Sequence, residues 1–297
     1  MQFDAQCIDC LIRRQLRLAE QRGEPEKTYQ YLRDVMRIML DAPAGVAAPY
    51  LMPHFADAFA RYWPEADHYG PLKEASNREM LARLPQMRRM AESAEDPVLM
   101  GLKLAQMGNY IDYGALSDSV SMDTLAALLA KAPENEIDPV EYGHFTKDLA
   151  GAKRLLYIGD NAGEIVADLV AVEHLKARYP ALEITFAVRG GEALNDATRE
   201  DAAAVGMDRL VAIVDNGTRI SGTELAYLGE EMRQALTAAD VILAKGQANF
   251  ETMLTCGLNV YYLFLCKCRR FTERFRVPKL TGMFLNERRV EFGSPFC

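Results

Sequence analysis

The spacing of hydrophobic positions changes partway along the chain. In the segments CLIRRQLRLAEQ (10–21), TYQYLRDVMRIML (28–40), EMLARLPQMRRMAESA (79–94) and MDTLAALLAKA (122–132), apolar residues recur three and four positions apart. That is the spacing of amphipathic helices. Pro43, Pro49, Pro71, Pro97 and Gly101 punctuate them. Their Met and Leu stripes read as the core of a bundle rather than as a cofactor box. From Arg154 the period shortens into continuous apolar runs: RLLYIGD, EITFAVRG, RLVAIVDNG, DVILAKG and NVYYLFLCKC, separated by helical patterns. Such alternation predicts a parallel sheet covered on both faces. The polar, proline-bearing stretch KAPENEIDPVEYG separates the two regimes. The expected fold class is therefore α/β: a helical domain over residues 1–137, then a Rossmann-like α/β domain over 138–297 with a mostly parallel sheet.

Composition narrows the function classes. The 297 residues are 49% hydrophobic and 26% charged, as in an ordinary globular protein. A formal charge of −8 argues against sequence-independent nucleic-acid binding, which needs a basic surface. No apolar span is long enough to cross a bilayer, and MQFDAQCIDC lacks the layout of a signal peptide, so no membrane partner is expected. Six cysteines in so long a chain do not form a disulfide framework, which points to a reducing cytoplasm. Four scattered histidines argue against a histidine-rich zinc site. Oligomeric state is not legible.

Candidate chemistry concentrates where the strands end. Asp160-Asn161, Arg189 with Asn195-Asp196, Asp215-Asn216, and Lys245 each follow an apolar run. Open α/β sheets bind ligands outside the carboxyl ends of their strands. Asp160, Asn161 and Asp196 offer oxygen ligands suited to a divalent ion such as Mg²⁺, Mn²⁺, Co²⁺ or Ni²⁺. The competing reading of Asp160 is an N-cap for the next helix. Glu164 and Asp168 share a helix face near its positive end; a supporting role suits Glu164, and solvated complementation of the helix dipole suits Asp168. In AKGQANFE, Lys245 and the amides around Gly246 are placed to hold phosphate oxygens, with Asn249 close behind. Asn109 and Asp112 in QMGNYIDYGAL share a helix-end face, and residue type alone makes them a polar cap.

Two familiar phosphate and nucleotide architectures drop out. A haloacid-dehalogenase nucleophile has an Asp two residues on, where this chain has Ala162, and GDNAGE does not supply GxGxxG. The thiols form two short pairs, Cys7/Cys10 (CxxC) and Cys266/Cys268 (CxC), a candidate second, structural metal site set against buried unpaired thiols or redox activity. Cys256 and Cys297 carry no signal.

Taken together, DNAGE, VRG…LNDAT, KGQANFE and GNYIDYG resemble the damage-control phosphatase family, formerly domain-of-unknown-function family 89, which includes the acidic-residue methyltransferase-like proteins. The resemblance spans nearly the whole chain and includes the amino-terminal CxxC of stand-alone microbial members. It implies a helical region joined to a Rossmann-like domain, and divalent-metal-dependent hydrolysis of sugar phosphates or damaged phosphometabolites. On matching positions it implies Asp160, Asn161 and Asp196 as metal ligands, Lys245 as a phosphate ligand, and Asn109 and Asp112 facing the site. Two other functions fit some of the same residues. One is an S-adenosylmethionine-dependent carboxyl methyltransferase with Asp215 on a ribose hydroxyl; the other is a non-catalytic metabolite- or metal-binding module. The tail CKCRRFTERFRVPK departs from the family's apolar continuation, and its role is left open.

Overall fold

The five apolar runs form five parallel strands, and the central ones are continuously apolar because the sheet is buried there on both faces. This computed structural model describes residues 1–65, 69–112 and 120–290. His68, Cys297 and the end of the GNYIDYG motif from Tyr113 onward lie outside them. The strands are β1 (Arg154–Ile158), β2 (Glu183–Val188), β3 (Ala212–Asp215), β4 (Val241–Lys245) and β5 (Val260–Leu265). A sixth, β6 (Gly282–Asn286), pairs antiparallel with β5 at the edge, just after the segment 266–279 whose role the sequence left open. The sheet order is β3-β2-β1-β4-β5-β6. The chain therefore builds outward from β1 in one direction, then crosses back to place β4 on the other side. The cleft between the ends of β1 and β4 is the point where the order reverses, which is where open α/β sheets hold ligands.

The helices in the first half are α1 (Ala5–Glu20), α2 (Pro25–Leu40), α3 (Leu51–Tyr62), α4 (Gly70–Glu92), α5 (Pro97–Gly108) and α6 (Met122–Ala130). Those in the second half are α7 (Pro139–Gly151), α8 (Glu164–Arg178), α9 (Arg199–Val205), α10 (Glu230–Ala238), α11 (Gly246–Met253) and α12 (Arg269–Phe275). Helix α8 is apolar on nearly every side because it is packed between the sheet and α4 and α5. One apolar core thus runs from Met80, Leu84 and Leu102 through Val166 and Val170 to Leu155, Ile184 and Leu243. Helices α1 to α3 form a separate cluster around Tyr31, Phe55 and Trp63, and Leu194 from the loop after β2 packs against it. That contact sets the small helical unit over the carboxyl ends of the strands. No helix among the described residues is long and apolar enough to cross a membrane.

Candidate metal and phosphate site

The turn after β1 is stitched to the loop after β2 through the backbone. Ala197 N–H donates to the Asp160 carbonyl at 2.8 Å, and Ala162 N–H to the Asn195 carbonyl at 2.8 Å, forming a short bridge between Asn161 and Asp196. Arg189 N–H reaches the Ala197 carbonyl at 2.9 Å. The side chains of Asp160, Asn161 and Asp196 are consequently carried to one cavity of about 890 Å³, and all three line it. The capping alternative for Asp160 does not hold: Gly163, at φ +79°, occupies the N-cap position of α8 without a side-chain cap. Asn77 of α4 grips that turn instead, accepting from Gly163 N–H at 2.6 Å.

The hydrogen bonds orient the donor set. Oδ2 of Asp160 accepts from Asn109 Nδ2 (3.0 Å) and Asn161 Nδ2 (2.7 Å), while Oδ1 lies 3.6 Å from Arg189 Nη2. Asn161 Nδ2 also donates to Glu164 Oε2 at 2.9 Å. Both donations turn the Asn161 Oδ1 the other way, leaving it without a hydrogen-bond partner among the described residues. Asp196 accepts from Arg189 Nε at 2.6 Å and from Ser221 Oγ at 3.2 Å. Burial, then the negative charges of Glu164 and Asp196, hold the Asp160 carboxyl well above the usual carboxylate range. Burial raises Asp196 as well, against the opposing charge of Arg189. Removing a carboxylate from water is costly unless a cation accompanies it.

Gly246 completes the cleft from the β4 side. It has φ +78°, and a Cβ there would stand 1.9 Å from Asp160 Oδ2. The first residue of α11 is glycine because the carboxylate lies against its backbone.

Several expected residues take other places. Lys245 does not face the cavity. Its ammonium is fully buried and its three donors go to Glu164 Oε1 (2.7 Å), Asp168 Oδ1 (2.6 Å) and the Ala105 carbonyl (3.0 Å). Burial works against its charge, and Asp168 and Glu164 more than restore it. Asp168 is not solvated either. It is fully buried between Lys245 and the Tyr157 hydroxyl, and burial lifts its carboxyl to about 6. Asn249 is a brace: it donates to the Gly159 and Lys245 carbonyls and accepts from Thr223. Asn195 donates to the Ile111 carbonyl. Asn109 ties Asp160 and Glu164 to Leu265 N–H at the end of β5. Asp215 is held by Arg199 at the third strand end and is not part of the cavity lining.

Sequence reasoning missed Lys267. Its buried ammonium pairs with Asp112 Oδ2 at 2.7 Å, lines the cavity, and is close enough to Asp160 to lower its pKa. The position reads as the middle of CKC, where the two thiols draw attention away from the lysine between them. Nη1 of Arg189 is buried with no hydrogen-bond partner among the described residues, so a cationic donor is present beside the two aspartates.

The thiols do not make a four-sulfur metal site. Cys266 packs into the apolar core under β5, whereas Cys7, Cys10 and Cys268 are on the cavity wall. Among the described residues no three His, Cys, Asp or Glu side chains gather around one point as metal ligands. The candidate donor set is accordingly two carboxylates and one amide. Its chemistry fits a hard or borderline divalent ion. Among the described residues, Asp160, Asp196, Glu164, Asp168 and Asp112 outnumber the cations paired with them, Arg189, Lys245 and Lys267, by five to three.

Comparison with known proteins bears on the same architecture. A DUF89-family protein from Pyrococcus horikoshii superposes with a TM-score of 0.79 at 23% identity, over 97% of this chain and 99% of that one, which establishes the fold. The chain is similar to an uncharacterized protein, MJ0202, of Methanocaldococcus jannaschii (28% identical, 92% of this chain and 91% of that one). It is similar also to the damage-control phosphatase PH1575 of Pyrococcus horikoshii (33%, 61% and 62%) and to a damage-control phosphatase of Archaeoglobus fulgidus (30%, 68% and 69%). Residues 3–281, from the first helix to the last described strand, match the damage-control phosphatase ARMT1-like domain, and the chain belongs to that family.

Proposed function

We propose that this protein is a divalent-metal-dependent phosphomonoesterase acting on small phosphorylated metabolites. The observation that carries the reading is the backbone-stitched meeting of Asp160, Asn161 and Asp196 at one cavity. Relatives named damage-control phosphatases support it. Asp160 Oδ1, Asn161 Oδ1 and Asp196 Oδ1 would hold the ion, with Mn²⁺, Co²⁺, Ni²⁺ and Mg²⁺ as the species to compare. A divalent ion in such a site polarises a phosphoryl oxygen and lowers the pKa of a bound water.

The chain's own residues supply the rest. Lys267, in the cavity lining, binds the phosphoryl oxygens as negative charge develops on them, while Arg189, buried behind the aspartates, holds Asp196. Helix α11 begins at the same cleft, with Gln247 and Ala248 in the lining, so its first backbone amides are a second set of donors. Asn109 and Glu164 fix the rotamers of Asp160 and Asn161 from behind. Lys245 and Asp168 in turn fix Glu164, so the phosphate-holding work expected of Lys245 passes to Lys267.

The methyltransferase reading loses its anchor, because Asp215 is engaged by Arg199 away from the cavity. The test is Asp160→Asn, which keeps the shape and removes the charge. Metal-stripped protein with each ion restored separately should hydrolyse phosphomonoesters, and the variant should lose at least about a hundredfold in kcat/KM while unfolding as the parent does. Undiminished metal-dependent turnover in Asp160→Asn would exclude the assignment.

A further inference from the structure

The cavity is far larger than a phosphoryl group requires. At about 890 Å³ it lies near the top of the range of roughly 300–1,000 Å³ for small-molecule sites. One of its walls is α1, which runs past the aspartates and presents Cys7, Cys10, Arg14 and Arg17 at spacings of three and four. Lys279, from the segment between α12 and β6, lines the same space.

The charge on that wall is unusual for an acidic protein. Arg13, Arg269 and Arg270 in the lining are each matched by a carboxylate, namely Asp9, Glu273 and Asp4. Arg14, Arg17 and Lys279 have no carboxylate partner among the described residues. Arg14 is half-buried and is held by neutral groups: Nη1 contacts Met52 Sδ at 3.2 Å and Nη2 donates to the Tyr69 hydroxyl at 3.1 Å. A guanidinium fixed in place, partly out of water and with no carboxylate on it among the described residues, is a waiting anion site. Leu11, Pro49, Met52 and Leu194 make other parts of the lining apolar.

We propose that Arg14, Arg17 and Lys279 form a second anion subsite, so that the substrate is a phosphomonoester bearing another anionic group, carboxylate or phosphate, away from the scissile one. This rests on the phosphatase reading of the aspartate floor. The floor takes the phosphate that is cut, and the α1 wall takes the distal charge.

Phosphonates test binding without turnover. Hexylphosphonate, its ω-carboxylate derivative and its ω-phosphonate derivative are titrated by calorimetry into the full chain with Mn²⁺ present. Both ω-anions should bind at least about tenfold more tightly than the uncharged-tail compound, as a charge-assisted contact implies. The stronger of the two identifies the distal group. In Arg14→Gln/Arg17→Gln the advantage should fall to near parity, and in Lys279→Gln, an exposed position that the fold tolerates, it should fall in part. Equal affinity for all three compounds in the parent, no measurable binding of either ω-anion, or an advantage that survives the double substitution would each overturn the subsite. The hydrolase reading fails separately: hexyl phosphate left uncut by the metal-loaded parent refutes that reading, whatever the phosphonates show.

Discussion

Replacing Gly246 by alanine is a small change with a large calculated consequence. The new Cβ would stand 1.9 Å from Asp160 Oδ2 and 2.2 Å from its Cγ, where real Cβ contacts essentially never fall below 3.0 Å. The carboxylate must therefore retreat by about 1 Å, yet Asn109 and Asn161 hold it from one side and Arg189 from another. Misplacement by about 1 Å at a reacting centre can cost about a hundredfold in rate. Alanine at positive φ adds about 1–2 kcal/mol of backbone strain. Gly206 separates the two effects, since it has φ +83° but nothing within 4 Å of its would-be Cβ. Gly206→Ala should lose about 1–2 kcal/mol in urea unfolding, and Gly246→Ala that plus about 1–3 kcal/mol for the displaced carboxylate. Only Gly246→Ala should lose metal-dependent hydrolysis of an aryl phosphate, by about a hundredfold in kcat/KM. If Gly246→Ala retains kcat/KM within about threefold of the parent, Asp160 is not held in a working geometry by this cleft, and the site reading is wrong.

Other outcomes follow from the buried charges. Lys245→Met leaves Glu164 and Asp168 without their shared cation and should cost about 3–5 kcal/mol of unfolding free energy; a loss below about 1 kcal/mol accompanied by weakened phosphonate binding would instead return Lys245 to the ligand. Lys267→Met should weaken hexylphosphonate binding by about tenfold, since it removes a cation from the cavity wall, and unchanged affinity in calorimetry would dismiss that role. Asp168 titrates near 6 in the folded protein against 3.8 ordinarily, because of its burial. Between those values the folded carboxyl keeps its proton while the unfolded one loses it, so this group's stabilisation is present below about pH 4 and is lost as pH rises through 6. The parent should lose on the order of 3 kcal/mol relative to Asp168→Asn across that window; parallel stability-versus-pH curves would refute the assignment.

The fold was legible wherever period decided it. All five parallel strands begin and end inside the apolar runs, and α8 starts at Glu164, where the helical pattern starts. Strand β6 was not, because GMFLN at an edge has no more β character than many loops and is fixed by its pairing with β5. In the site, the aspartates were readable because strand ends in an α/β sheet must face one rim. Their joint placement comes from a backbone bridge between Asn161 and Asp196 that leaves no mark on side-chain identity.

Lys245 shows why the direction of a side chain is harder to read than its position. Its location at a strand end, before glycine, is common to phosphate lysines and to buried counter-ions. What separates them is the partner on the neighbouring helix. Glu164 and Asp168 lie four residues apart on the face of α8 turned toward the sheet, and a buried pair of carboxylates cannot remain ionised without a cation between them. A carboxylate left in water makes no claim on a buried lysine, so an Asp168 read as solvated leaves Lys245 free for a phosphate. Once α8 is seen to be apolar almost all round, both conclusions reverse together: a polar residue on such a helix must have a partner inside, and Lys245 is the cation that reaches it. The same reasoning leaves Lys267 as the lysine beside the aspartates that lines the cavity, with Arg189 holding Asp196 from behind.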